Sequence, residues 1–121
     1  MTAMYDKQPE KFSDNGNGSI TYRWDIKEVT IDRQMGETET TETKWQCNEV
    51  IVWGTITRVK VVTKVIEELW GIDVEAKLLN DYNAAVLDIL PLEYKIRYTE
   101  FLNARKAIKV QVNADCAEIG L

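Results

Sequence analysis

The stretch that most constrains this chain is Asp73–Ile119, interrupted once, at Leu90-Pro91. Before the break, Val74, Leu78, Tyr82, Ala85 and Ile89 recur at spacings of three and four, which places them on one face of a helix. Asp73 stands where an N-cap belongs, its carboxylate able to accept from the free amides of the first turn. After the break, Tyr94, Tyr98, Phe101, Arg105, Ile108 and Val112 form an almost heptad-like seam, which Leu102, Lys109 and Cys116 widen. Pro91 has no amide hydrogen and cannot continue the first helix, but its fixed φ suits the first turn of the next. So short a connection predicts an antiparallel αα-hairpin.

A chain of 121 residues is expected to form a single domain, 1–121, with a modest core. The net charge is −5: residues 1–56 carry ten acidic against six basic side chains, and residues 57–121 ten against nine. Neither half has the positive excess that binding a phosphate backbone demands, so a nucleic-acid partner is not expected. No apolar run reaches bilayer-spanning length and no secretory signal pattern is present, so no membrane role is expected and the expected location is the cytoplasm. Cys47 and Cys116 are too few and too far apart for a disulfide framework and read as buried thiols.

The chain has no histidine. That removes the commonest general acid–base, the Ser-His and Cys-His nucleophile pairs and the commonest metal ligand. Two cysteines without histidine cannot complete a standard structural zinc site. No catalytic, cofactor-binding or metal-binding residues are assigned, and the chain is not expected to be an enzyme.

From the N-terminus, residues 1–18 read as loosely held, with Tyr5 and Phe12 as tethers and Asp14-Asn15-Gly16-Asn17-Gly18 as a turn. The Asp/Asn/Gly run lacks the spaced carboxylates and closing glutamate of a calcium loop. In Ser19–Ile31, Ile20, Tyr22, Trp24 and Ile26 alternate with polar residues, as in a half-buried strand. The apolar parity then shifts to Val29 and Ile31, which predicts a bulge near Lys27-Glu28. A turn at Gly36 leads into the Thr/Glu alternation Thr38–Thr43, the exposed arm of a hairpin. Lys44–Trp53 reads as the second strand, with a second bulge expected around Asn48-Glu49.

A two-stranded hairpin is marginal alone. It must rest on helices, gain a strand from residues 1–12, or pair with another chain. Gly54–Gly71 reads as a loop and a helix capped by Thr57, with Val61, Val62, Val65, Ile66 and Leu69 as its stripe and Gly71 as its stop; a strand through Gly54–Val62 competes. The fold class is therefore α+β: an antiparallel β-hairpin region (19–53), which could be a small sheet, followed by three helices (57–119).

Tyr22, Trp24, Trp45 and Arg105 are the candidate partner-contact residues. The rings are either the grip of a thin sheet on its core or a stacking platform, and Arg105 interrupts an apolar seam. Glu37, Glu39 and Glu42 read as a solvated edge rather than a cation site, and Asn80 and Asn83 as solvated helix positions. Arg105, Lys106 and Lys109 form a basic stretch that Asp81 or Asp88 could pair with.

Asp81-Tyr82-Asn83-Ala84-Ala85-Val86-Leu87, followed by Tyr94-Lys95, Tyr98, Phe101-Leu102, Arg105, Ile108-Lys109, Val112 and Asp115, resembles the C-terminal helical region of small phage and prophage tail-associated proteins, such as tail-fibre assembly and accessory proteins. The resemblance spans mainly residues 73–116. It implies a non-enzymatic structural or assembly role through protein partners, a second copy among them, and incorporation into a virion. The alternative is a small-ligand or glycan binding module that stacks its ligand on the tryptophans and tyrosines of the hairpin.

Overall fold

The computed structural model describes residues 1–36 and 38–121. The elements run β1 (Thr2–Tyr5), β2 (Phe12–Asp14), β3 (Ser19–Met35), β4 (Thr38–Trp53), α1 (Arg58–Leu69), α2 (Ile72–Val86) and α3 (Glu93–Glu118). The fold is α+β, with a four-stranded antiparallel sheet and three helices. Two compact units carry them, Met1–Ile56 and Thr57–Leu121.

In the first unit the sheet order is β1-β4-β3-β2. The hairpin is longer than its apolar pattern suggests, because the polar Thr/Glu run stays in register with Val29–Met35 up to the Met35–Thr38 pair. Residues 1–18, expected to be loose, supply both outer strands: Thr2–Tyr5 pairs with Trp45–Asn48, and Phe12–Asp14 with Ile20–Tyr22. The hairpin thus gains strands from its own N-terminal segment. The turn before β3 is tied by its own side chains, Asp14 Oδ1 accepting from the Gly16 amide at 2.8 Å and Asn17 Oδ1 from the Ser19 hydroxyl at 2.6 Å.

Among the described residues one bulge is present, at Asp25–Ile26, two residues before the expected place. Trp24 pairs with Asn48 and Lys27 with Gln46, so two residues of β3 oppose Cys47 alone. Asp25 has φ +54, a left-handed conformation that aspartate tolerates better than most side chains. The extra residue keeps Tyr22, Trp24, Val29 and Ile31 on one face despite their change of parity. No second bulge forms at Asn48-Glu49, where Arg23↔Glu49 and Trp24↔Asn48 stay in step.

In the second unit, Thr57 caps α1 as expected, its hydroxyl accepting from the Lys60 amide at 3.2 Å. Gly54–Val62 forms no strand; β4 ends at Trp53 and the helix begins at Arg58. Val61, Val65 and Ile66 are buried, whereas Leu69 is exposed. Gly71 is extended and serves as the N-cap of α2, with no side-chain cap. Asp73 therefore lies inside the first turn, where its charge meets the helix dipole rather than capping it.

The first helix of the pair stops at Val86, short of the expected Ile89. The Ile89 amide donates to the Ala84 carbonyl at 2.9 Å and the Asp88 amide to Ala85 at 3.1 Å. That is a Schellman ending, with Asp88 at φ +60 in the place usually held by glycine. Leu87–Leu92 then leads into α3. Two contacts set the direction of the pair: Glu75 meets Arg105 and Tyr82 meets Tyr98, so α2 and α3 run antiparallel. Phe101, Val112 and Cys116 form the buried side of α3, while Leu102 and Lys109 face outward.

Candidate partner-contact surfaces

The four candidate residues part company in the structure. Tyr22 is fully buried and Trp24 nearly so. Phe12, Tyr22 and Trp24 form a row on one sheet face, with centroids 4.8 and 5.7 Å apart, so these rings are used on one another. Trp45 is half-buried beside β1. Trp53, at 58% exposed, is the tryptophan most open to solvent.

The opposite face of the sheet carries a polar cluster that residue spacing did not show. Arg23 Nε lies 3.2 Å from Glu49 Oε2 and 3.2 Å from the Tyr5 hydroxyl, and the Tyr5 hydroxyl donates to Glu49 at 2.5 Å. Arg23 also donates to the Ser13 hydroxyl at 2.7 Å and the Glu10 carbonyl at 3.0 Å. The guanidinium therefore ties both added strands to the hairpin. Burial, with donation to Glu49, pushes the Tyr5 hydroxyl above its ordinary pKa.

Among the three acids weighed as a cation run, Glu37 lies outside the described residues. Glu42 pairs with Arg33 at 3.1 Å across the hairpin, and Glu39 faces Gln34. Among the described residues, no three acids or cysteines gather as a metal-holding group. Cys47 and Cys116 are free and buried, and burial raises both thiols.

Arg105 meets an acid, but a different one from the two expected: its Nε lies 3.4 Å from Glu75 on α2, while Asp81 pairs with Lys77 at 2.8 Å. This pair divides a groove on the helical unit. On one side a cavity of about 440 Å³ is floored by Val62, Ile66 and Trp70 and rimmed by Arg58 and Lys109. On the other a cavity of about 450 Å³ is lined by Leu79, Tyr98 and Leu102. Ile72 borders both and is 78% exposed. The connection between α2 and α3 adds further apolar surface through Leu87, Ile89 and Leu92, all more than half exposed. Ile72 falls outside the helical stripe read from the sequence, and only an apolar residue out of phase with its own helix could have signalled it.

No family model matches the chain, and no curated protein or solved structure matches it. No helix among the described residues is long and apolar enough to cross a membrane.

Proposed function

We propose that this chain is a non-enzymatic structural or assembly protein that works by protein–protein contact, as a tail-associated component of a phage-like particle. The observation that carries the contact reading is the open apolar surface of the helical unit: Ile72, Leu79 and Leu102 about the divided groove, and Leu87, Ile89 and Leu92 at the helix connection. Clustered apolar surface of this kind is the usual mark of an interaction site. The particle assignment rests on the resemblance of residues 73–116 to tail-associated proteins. The ring-stacking alternative has less support, since Tyr22 and Trp24 are buried and Trp53 supplies its open ring.

The test is mass spectrometry of density-gradient-purified particles from producing cells, together with deletion of the gene. The chain is expected at constant copy number per particle, and particles made without it should be fewer or incomplete. Normal particles in normal numbers after deletion, with no chain in the wild-type particle, would overturn the particle assignment.

A further inference from the structure

The helical unit carries two open apolar surfaces of opposite shape. One is a groove. α1 lines it with Val62, Ile66 and Trp70, one turn apart, and α3 with Arg105, Lys109 and Asn113, also one turn apart. The cavity of about 440 Å³ thus has an apolar floor and a polar, largely cationic wall. Trp70 stands edge-on to Phe101, centroids 5.4 Å apart, so the floor is preformed. The other surface is convex: the connection from α2 to α3 presents Leu87, Ile89 and Leu92, all strongly exposed.

The two surfaces also differ in charge. Arg58, Arg105 and Lys109 line the groove against two acids, Glu67 and Glu75, and Glu75 is taken up by Arg105. The Arg58 guanidinium donates to the Leu121 carbonyl. Residues 87–93 carry Asp88 and Glu93 and no cation, and Arg97 lies 3.7 Å from Glu93. Neither Asp88 nor Lys109 is in an ion pair among the described residues.

We infer that the connection of one copy seats in the groove of a second copy, with Ile89 against Ile66 and Trp70 and Asp88 beside Lys109. This deepens the contact reading, on which it rests, by naming the partner and the two surfaces that meet. Apolar surface is covered on both copies, and the unpaired acid of one meets the unpaired cation of the other.

A chain cannot fill its own groove. Ile72 and Glu75, in the first turn of α2, border the groove, whereas the connection follows Val86. The 15 residues of α2, about 21 Å of helix, hold the two apart. The contact is therefore heterologous, each copy giving a different patch, and its repetition closes a ring of two or more copies or continues as an open chain. The symmetric arrangements are disfavoured by charge. Groove against groove gathers the cations of two copies, and connection against connection gathers their acids.

Sedimentation velocity up to about 1 mM chain tests the inference on the full chain. The wild type should self-associate. A groove variant, Ile72→Asp, and a connection variant, Ile89→Ser/Leu92→Ser, should each weaken association at least tenfold. Both changes fall on exposed residues; an acid suits the first turn of α2, and serine suits the N-cap of α3. Circular dichroism checks that each is folded, and Ile72→Ser or Ile89→Ser alone replaces a variant that is not. Mixed together, the two variants should form a one-to-one complex that grows no further, because one intact connection and one intact groove remain. Asp88→Lys and Lys109→Glu should each weaken association, and the chain carrying both should recover it. A wild type monomeric throughout, a groove or connection variant that associates like wild type, a mixture that stays monomeric, or a charge exchange that recovers nothing would overturn the inference. Any of these, with the chain still present in particles, leaves the contact reading standing with another partner. Head-to-tail association of a chain absent from particles does the reverse.

Discussion

Arg23 and Glu49 stand directly opposite one another on β3 and β4, Nε 3.2 Å from Oε2, with side chains only 10% and 13% exposed. A buried ion pair is weak grounds for stability in itself, but removing one partner strands the other charge. Glu49→Leu and Arg23→Met should each cost about 3 kcal/mol. The double variant Arg23→Met/Glu49→Leu should recover part of that loss, although Ser13 and the Glu10 carbonyl lose their donor. Urea denaturation of the four proteins checks the cycle, and equal additivity would show that the pair does not act as a unit.

The second ion pair should behave differently. Arg105 and Glu75 are 37% and 33% exposed, so solvent and salt screen them. Glu75→Gln should cost at most about 0.5 kcal/mol, and the cost should vanish in high salt. Thermal melts at low and high ionic strength distinguish this from the Arg23 pair.

Asp88 closes α2 in the left-handed region, with its negative charge at the negative end of the helix dipole. Asp88→Gly should relieve both costs and stabilise the protein by about 1 kcal/mol. Asp88→Val should destabilise by a similar amount or more, because a β-branched side chain fits φ +60 poorly. The melting temperatures of the two variants should move in opposite directions.

Three buried or half-buried groups contribute to the alkaline limit. Cys47 and Cys116 are raised above their ordinary 9.0 by burial, and Tyr5 above its ordinary 10.0 by burial and its bond to Glu49. In each case the folded chain holds its proton more tightly than the unfolded chain. The associated stability is complete below about pH 9 and is lost as pH rises through the raised values. Urea midpoints should therefore fall between pH 8 and pH 11, and less so in Tyr5→Phe. Both thiols should react slowly with a disulfide reagent at pH 8 in the native protein and fast in urea.

The helix endings show what was legible in the sequence and what was not. Both α2 and α3 close with Schellman motifs, the second through Gly120 at φ +80, with the Leu121 amide donating to Cys116 at 2.9 Å. A glycine in that place is a readable stop, and the stretch through Ile119 ended where the helix does. Asp88 performs the same task with a side chain that reads equally well as helical, so the apolar spacing carried the expected helix past Val86 to Ile89. The bulge is a similar case. Val29 and Ile31 announced a change of parity, but Ile26 continued the earlier alternation and pushed the expected bulge two residues late.

Short strands were the other loss. β1 and β2 have four and three residues, too few for periodicity to rise above its surroundings, and their hold comes from Arg23 and from ladders, β1 with a strand far along the chain and β2 with the strand that follows it. Of the candidate contact residues, Arg105 was visible because a cation broke an apolar seam. Ile72, which borders both halves of the groove, was passed over, because its only mark in the sequence is being out of phase with the apolar stripe of its own helix.

The hairpin arm beyond β1 and β2 also acts as a ruler. Each strand rises about 3.4 Å per residue, so adding or removing one residue on both strands moves the tip by that amount without disturbing the four-stranded base. A change of one residue pair turns the outer side chains and the free amides to the opposite sides; a change of two restores them. Reach can thus be adjusted in steps of about 7 Å while the pattern of the arm is kept. Insertions and deletions in this segment should be tolerated in matched twos, and the distance that the arm spans should be quantised accordingly.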